Sequence, residues 1–233
     1  MKILSLNTWH GECGPELRAF LLSQLETVDV FCLQEANGES IDAIIAELFS
    51  GSQFYVANVT KDGGVSRGYC LYTIAKAPIR LISQHALLEV SDHETGQAFA
   101  TELEVGGGRI VVVNVHGMPY PGDKLDSEGR LRQTKQIIDW LSTRDVPAVV
   151  CGDFNLEPAT KSVQDFAAAG YQDLIGKYQI ATTRNHLAWA KWPDNVQLFA
   201  DYTFVSPGLA VTDFSVPDLD VSDHLPMIIE LET

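Results

Sequence analysis

The chain has 233 residues, 45% hydrophobic and 20% charged, proportions of a globular protein that exclude a disordered chain or a fibrous repeat. Sixteen Lys and Arg against 31 Asp and Glu leave a formal net charge of −15 with the six histidines neutral. A surface of that sign repels polyphosphate at long range, which argues against a sequence-reading DNA binder. Any phosphate-bearing partner must then be met by a local, cation-filled pocket. Strand-like runs begin at residues 2–9 and 29–35 and continue at 53–60, 67–75, 79–90, 97–105, 109–117, 148–155, 201–206 and 227–232. Helical spacing fits Pro15–Val28, Glu39–Phe49, Ser127–Thr143 and Thr160–Ala169, so the chain is of the α/β or α+β class. In the third helix Leu131, Ile138 and Leu141 share one face, with Arg130, Lys135 and Asp139 pointing elsewhere and Asp126 or Ser127 as N-cap. Gly106-Gly107-Gly108 between two alternating runs reads as a hairpin turn, which disfavours a purely parallel sheet.

The least regular stretch, Gly176 to Ala200, carries His186, Trp189, Trp192 and Pro193. It reads either as a substrate-recognition loop or as a rim loop whose tryptophans cover the core. No linker rich in Pro, Gly or Ser and no repeat divides the chain, so residues 1–233 are expected to form a single domain. Cys13, Cys32, Cys70 and Cys151 form no C-x-x-C pair and read as reduced thiols, Cys32 and Cys151 within apolar strands. The N-terminus lacks the pattern of a secretory signal, and no run reaches the ~20 apolar residues of a membrane span. The expectation is a cytoplasmic monomer.

The chemical signal is a recurring placement. Asn7 follows ILSL, Glu35 follows VFCLQ, His116 follows VVVNV, Asp153 and Asn155 follow AVVCG, and Asp223-His224 precede LPMII. Singly, each has a plain explanation: Asn7 as a turn residue, Asp153 as a helix cap, Asp201 as a turn acid. Together they suggest polar strand ends converging at one rim, where carboxylates share a cation instead of repelling one another. Three carboxylates (Glu35, Asp153, Asp223), amides and two histidines form an oxygen-rich set suited to Mg²⁺ or Mn²⁺ rather than zinc, with Glu35 and either Asp223 or Asn7 sufficient to hold the ion. A phosphate ester is the natural substrate. Asp153 can orient or deprotonate water, Asn155 can donate to phosphoryl oxygens, and His224 or His116 can supply positive charge or a proton. Asp201 can fix the tautomer of His224.

LSLNTW, CLQE, VNVHG, CGDFN, DYTFVS and SDHLP resemble, in this order, the motifs of the endonuclease/exonuclease/phosphatase superfamily, which includes deoxyribonuclease I. The resemblance implies a four-layer α/β/β/α sandwich of two mixed, mainly antiparallel sheets with outer helices. It also implies Mg²⁺- or Mn²⁺-dependent attack of water on a phosphodiester or phosphomonoester. By position, Glu35 is the primary metal ligand with Asn7 and Asp223 beside it, and Asp153 positions the water. Asn7 and Asn155 contact phosphate, Asp201 orients His224, and His116 is the second active-site histidine. Arg130 with Gln133 resembles an R-x-x-Q pattern, so Arg130 is either a phosphate clamp or part of a solvated helix face. Trp9 stands where exonuclease III-like enzymes have an aspartate, which argues against a second metal. No clustered Lys and Arg mark a DNA-binding insertion, so duplex DNA is the less expected partner and a small or single-stranded ester fits better. A DNA repair nuclease or DNA-end phosphodiesterase of the same fold, and a non-catalytic binding module, are the alternatives. Tyr120 and the two tryptophans could stack on a base or merely pack their loops.

Overall fold

In a computed structural model of the protein, residues 1–50, 53–57, 60–61, 64–65, 70–88 and 96–232 are described, with side chains outside 51–69. The expected strand positions 58–59, 67–69 and 89–90 lie outside the described residues. One six-stranded sheet has the order β13 (Val211–Ser215), β14 (Met227–Leu231), β1 (Lys2–Asn7), β2 (Val30–Gln34), β6 (Leu71–Ala75), β3 (Gln53–Ala57). The other runs β11 (Gln172–Asp173), β12 (Asp201–Val205), β10 (Ala148–Asp153), β9 (Gly108–His116), β8 (Gln97–Val105), β7 (Arg80–Ala86). A two-stranded ribbon pairs β4 (Thr60–Lys61) with β5 (Gly64–Val65).

Each large sheet has one parallel pair, β1 with β2 and β9 with β10, among antiparallel neighbours. The parallel pairs are the two that a helix bridges: α1 (Gly14–Gln24) lies between β1 and β2, and α3 (Glu128–Ser142) between β9 and β10. Parallel neighbours need such a crossover, whereas two residues suffice for an antiparallel turn. That turn is Gly106-Gly107, whose φ values of 58° and 85° put both central residues in the left-handed region, where glycine avoids a Cβ clash and the hairpin twist is matched.

Side-chain alternation builds the layers. Leu4 and Leu6 of β1 and Phe31 and Leu33 of β2 pack with Leu17 and Leu21 of α1 and with Ile41, Ile44 and Ile45 of α2 (Glu39–Leu48). Their alternates Ile3, Val30 and Cys32 join Val111, Val113, Val149 and Cys151 of the second sheet. Ile137 of α3 and Phe166 of α4 (Lys161–Ala168) belong to that second cluster. The four-layer α/β/β/α sandwich expected from the sequence is the observed fold. Toward one end of the intersheet core the apolar pairs give way to a polar bridge. Gln34 Nε2 donates to Asn114 Oδ1 at 2.7 Å, and Asn114 Nδ2 donates to the Tyr72 carbonyl at 2.9 Å. A buried amide pair of this kind fixes the register of two sheets that apolar contacts alone would let slide.

The structure differs from the expected pattern in four places. Helix α1 stops at Gln24, four residues before Val28, because Thr27 and Val28 turn back to donate to the Gln24 carbonyl. The buried face of α3 is Arg130, Thr134, Ile137 and Leu141, with Leu131 only half-buried; carbonyls beneath the helix draw the Arg130 guanidinium inward. The 176–200 stretch contains the end of α5 (Leu174–Lys177) and all of α6 (His186–Lys191), which are too short to show a period. Edge strand β13 has a bulge between Val211 and Asp213 that breaks its alternation. All four cysteines are free thiols, three buried and Cys13 half-buried.

The neighbours Asp126 and Ser127 cap different helices. Ser127 Oγ accepts from Arg130 N at 3.2 Å and starts α3. The Asp126 carboxylate accepts from Lys161 N at 2.6 Å and from Ser162 N at 3.0 Å, the first two amides of α4. Slight burial raises the Asp126 pKa, but the hydrogen bonds from Ser162 and Lys161 outweigh it and hold the carboxyl below its ordinary value. Asp126→Ala is expected to cost about 1 kcal/mol in chemical denaturation at neutral pH. Because the folded-state pKa is depressed, that contribution is present above the unfolded carboxylate pKa and lost as pH falls through the folded one. The difference from the parent protein should therefore close in acid.

Candidate active site

Strand direction explains why residues scattered from position 7 to 224 meet. β1 and β2 run parallel and end at Asn7 and Gln34, so Asn7 and Glu35 emerge at the same edge. β9 and β10 likewise end together at His116 and Asp153, which are register partners. β12 runs antiparallel to β10 and begins at that edge, with Asp201 opposite Asp153. β14 is antiparallel to β1, so the residues that precede it, Asp223 and His224, arrive beside Asn7, and Ser222 Oγ donates to the Asn7 carbonyl at 2.7 Å. Gly152 allows the last step: a Cβ there would lie 2.0 Å from the Val115 carbonyl oxygen.

Asp153 is at the centre. Asn7 Nδ2 donates to its Oδ2 at 3.0 Å and the Asn155 backbone N–H to its Oδ1 at 2.8 Å. His116 Nε2 and His224 Nε2 each lie 3.7 Å from Oδ2. The Asp201 carboxylate holds His224 Nδ1 at 2.8 and 3.0 Å, which leaves Nε2 to face Asp153. Glu35 presents Oε1 to His116 Nε2 at 3.6 Å and Oε2 to His10 Nε2 at 3.2 Å. Lys124 Nζ donates to Asn155 Oδ1, and Arg184 donates to Asp223 Oδ2 at 2.9 Å. Burial raises the Asp153 carboxyl, but His224, Lys124, His116 and Arg184 together hold it well below the usual carboxylate range. Burial alone would lower His224, but Asp201 reverses this and raises it; burial pulls Lys124 below its ordinary value.

Glu35, His116, Asp153, Asn155, Asp223 and His224 floor a cavity of about 340 Å³, with Asn7 and Asp201 just behind them. Its upper wall is aromatic, with Trp9, Tyr120, Trp189 and Trp192, and Asn195 and Gln197 both donate to the Gly122 carbonyl, at 3.0 and 2.8 Å. Backbone strain is gathered here. Six non-glycine residues among those described have positive φ, and five of them, Trp9, His10, Glu35, Lys124 and Asn155, line this cavity. Such conformations cost of order 1–3 kcal/mol each and persist where surrounding structure over-determines them, as at ligand sites.

Of the residues singled out in the sequence, Asn7, Glu35, His116, Asp153, Asn155, Asp201, Asp223 and His224 come together at this rim, though Asp201 stands behind His224. Among the described residues two donor groups have the spacing for a metal ion: Glu35, His116 and Asp153, and Asp153, Asp201 and His224. Asp223 is in neither and is paired with Arg184. Arg130 does not line the cavity. Its side chain is buried, and its guanidinium donates to the carbonyls of Met118, Pro121 and Leu125 at 3.2, 2.5 and 2.6 Å and to Asp123 at 3.3 Å. It is neither a solvated face nor a cation open to the cavity. Sequence reasoning missed His10, Lys124 and Arg184. Arg184 lies in an irregular stretch and reaches the site through an isolated bridge to His224. Lys124 closes the loop run 118–124, MPYPGDK, where no spacing or neighbour marks it out.

Acids, amides and paired imidazoles thus meet at one strand edge of a two-sheet sandwich. Residues 4–224 match the Endonuclease/Exonuclease/phosphatase family, and the chain belongs to it; members of that family hydrolyse phosphate esters and generally use divalent metals. Among solved structures, a humanized TDP2 of D. rerio aligns with a TM-score of 0.76 at 17% identity, covering 100% of this chain and 99% of that one. A mannosyl-6-phosphatase of Bacteroides thetaiotaomicron aligns with a TM-score of 0.74 at 17% identity, covering 100% of both chains. The human Nocturnin catalytic domain, with bound sulfate, gives 0.74 at 18% identity, covering 100% of this chain and 93% of that one. At these identities the likeness is one of fold. No curated protein matches the sequence. Among the described residues no helix is long and apolar enough to cross a membrane.

Replacing Arg130 by alanine strands three loop carbonyls and is expected to cost about 3 kcal/mol in denaturant unfolding. Arg130→Lys should recover only part of this, because one ammonium cannot reproduce a planar fork spread over three carbonyls.

Proposed function

We propose that the protein hydrolyses a small phosphate ester, monoester or diester, with a divalent cation, Mg²⁺ or Mn²⁺, and that one chain suffices. The observation that carries this reading is a buried aspartate, Asp153, ringed by Asn7, His116, the Asn155 amide and an Asp201-oriented His224 at the floor of a cavity open to a small ligand. The donors fit a hard cation: Glu35 and Asp153 offer carboxylate oxygens at the spacing of a metal site, with a single nitrogen from His116. Glu35 would be the main ligand, since Asn7 and Asp223, its other expected partners, are engaged with Asp153 and Arg184. When bound, the cation neutralises phosphate charge and stabilises the departing oxygen.

The remaining roles belong to the chain. Asp153 accepts a hydrogen bond from the attacking water and fixes its line of approach. Asp201, bound at Nδ1, keeps His224 Nε2 turned toward the phosphoryl group, where it donates to an oxygen that gains charge in the transition state. His116 donates from Nε2 on the neighbouring strand. Asn155, its carbonyl oxygen taken by Lys124 and one amide hydrogen directed to the Gly117 carbonyl at 3.3 Å, turns its other amide hydrogen to the phosphate. Lys124 and Arg184 supply positive charge that the net −15 of the chain does not suggest. A single-stranded DNA end is the second reading, favoured by the likeness to a D. rerio TDP2 that is complexed with a single-strand DNA product.

Hydrolysis of a panel of phosphomonoesters and diesters should require Mg²⁺ or Mn²⁺ and stop with EDTA. Asp153→Asn and His224→Gln should each lower kcat by about 10²–10⁴-fold with the circular dichroism spectrum retained. Inactivity across the panel, or full activity in both variants, would overturn the reading.

A further inference from the structure

Resting on the phosphohydrolase reading, we infer that the organic group of the ester carries a flat aromatic ring, neutral or anionic, stacked on Trp192 at the cavity mouth. Four of the eight large apolar side chains exposed among the described residues, Tyr120, Trp192, Val196 and Leu198, belong to the two segments that roof the cavity. Tyr120 and Trp192 are 58% and 57% exposed and line the cavity itself. Large rings left in water at one mouth mark a ligand surface rather than a packing surface.

The two tryptophans of this segment divide the work. Trp189 braces the loop, its indole N–H donating to the Gln197 carbonyl at 3.1 Å. Trp192 makes no such brace among the hydrogen bonds of the described residues and keeps its ring open at the mouth. Trp9, in the same aromatic wall, is held there by two features. Its backbone is left-handed, with φ 47°, and its N–H donates to Asn7 Oδ1 at 3.0 Å. The same Asn7 donates to Asp153, so the aromatic wall is tied directly to the residue at the centre of the site.

Lys191 sets the charge of the ligand. Its Nζ lies 4.8 Å from the centre of the Trp9 ring and 5.9 Å from that of Trp192, within range for attraction to both π faces. An ammonium within reach of both rings repels a quaternary ammonium head group and suits a ring that is neutral, anionic or edged with hydrogen-bond acceptors. Both a simple aryl group and a nucleobase have this chemistry. Stacking on an exposed tryptophan is sequence-tolerant and strong enough to affect affinity measurably.

The test uses non-hydrolysable ligands, so that the intrinsic reactivity of aryl leaving groups does not enter. Calorimetric titration of the Mn²⁺-loaded full chain compares phenylphosphonate, cyclohexylphosphonate, a nucleoside phosphonate and inorganic phosphate. The flat phenyl ligand is expected to bind about tenfold tighter than its puckered isostere. Trp192→Leu should bring that ratio close to one, and Trp192→Phe should keep it. A nucleoside ligand that binds tighter than phenyl identifies the source as a nucleotide, and the reverse order a simple aryl ester. Equal binding of flat and puckered ligands, or a preference that survives Trp192→Leu, overturns the inference while phosphate binding leaves the hydrolase reading standing. Failure of inorganic phosphate itself to bind overturns both.

Discussion

The arrangement depends on keeping one carboxylate ionised inside the protein. Asp153 is buried, and an unpaired buried carboxylate is costly enough that it would take up a proton rather than stay charged. Its compensation comes from four different parts of the chain: the amide of Asn7 at the first strand, His116 at the ninth, the backbone of Asn155 just beyond, and His224 near the end. None of these is local except Asn155. The charge is therefore stable only when both sheets are formed and aligned, so the fold and the site assemble together.

Alignment has its own polar device. The Gln34 to Asn114 bridge crosses between the sheets one residue before Glu35 and two before His116. Had those positions been apolar, the sheets could shift relative to each other at small cost, and a shift of one ångström is large for a site whose donors stand 2.8–3.7 Å apart. Arg130 does the same for the loop. By gathering the carbonyls of Met118, Pro121 and Leu125 it fixes the approach of Lys124 to Asn155. A cation that phosphate recognition could have used directly acts instead to place another.

The fold and the strand-end residues were legible because both follow from short-range pattern. Alternation locates the strands, and a polar residue closing an apolar run is conspicuous. The β8–β9 hairpin, with β8 as expected and β9 one residue off at each end, and the position of α3 show how far this reaches. What the pattern could not carry was anything decided by tertiary contact. Arg130 looks like a surface residue until its carbonyl partners are known, and Asp126 looks like the cap of the helix beside it rather than of α4. Arg184 and Lys124 are single basic residues in polar loops of an acidic chain, where nothing nearby distinguishes them from solvated charges. Asp223 was read from its motif, but its pairing with Arg184 depends on a segment without periodicity.

Trp9 shows how one position can shape a site twice. An aspartate there would add another negative charge beside Glu35 and Asp153 and call for a further cation to offset it. With tryptophan, the turn that follows β1 contributes apolar surface instead. The left-handed conformations of Trp9 and His10 then direct an indole to the wall and an imidazole to Glu35 within two residues. Both residues resist that backbone conformation far more than glycine would, and the turn is held by the Trp9 N–H on Asn7 and by His10 N–H on the Glu35 carbonyl at 3.2 Å. The strain is thus balanced by bonds to Asn7 and Glu35, two residues the proposed chemistry uses, so relaxing the turn would loosen both along with the aromatic wall.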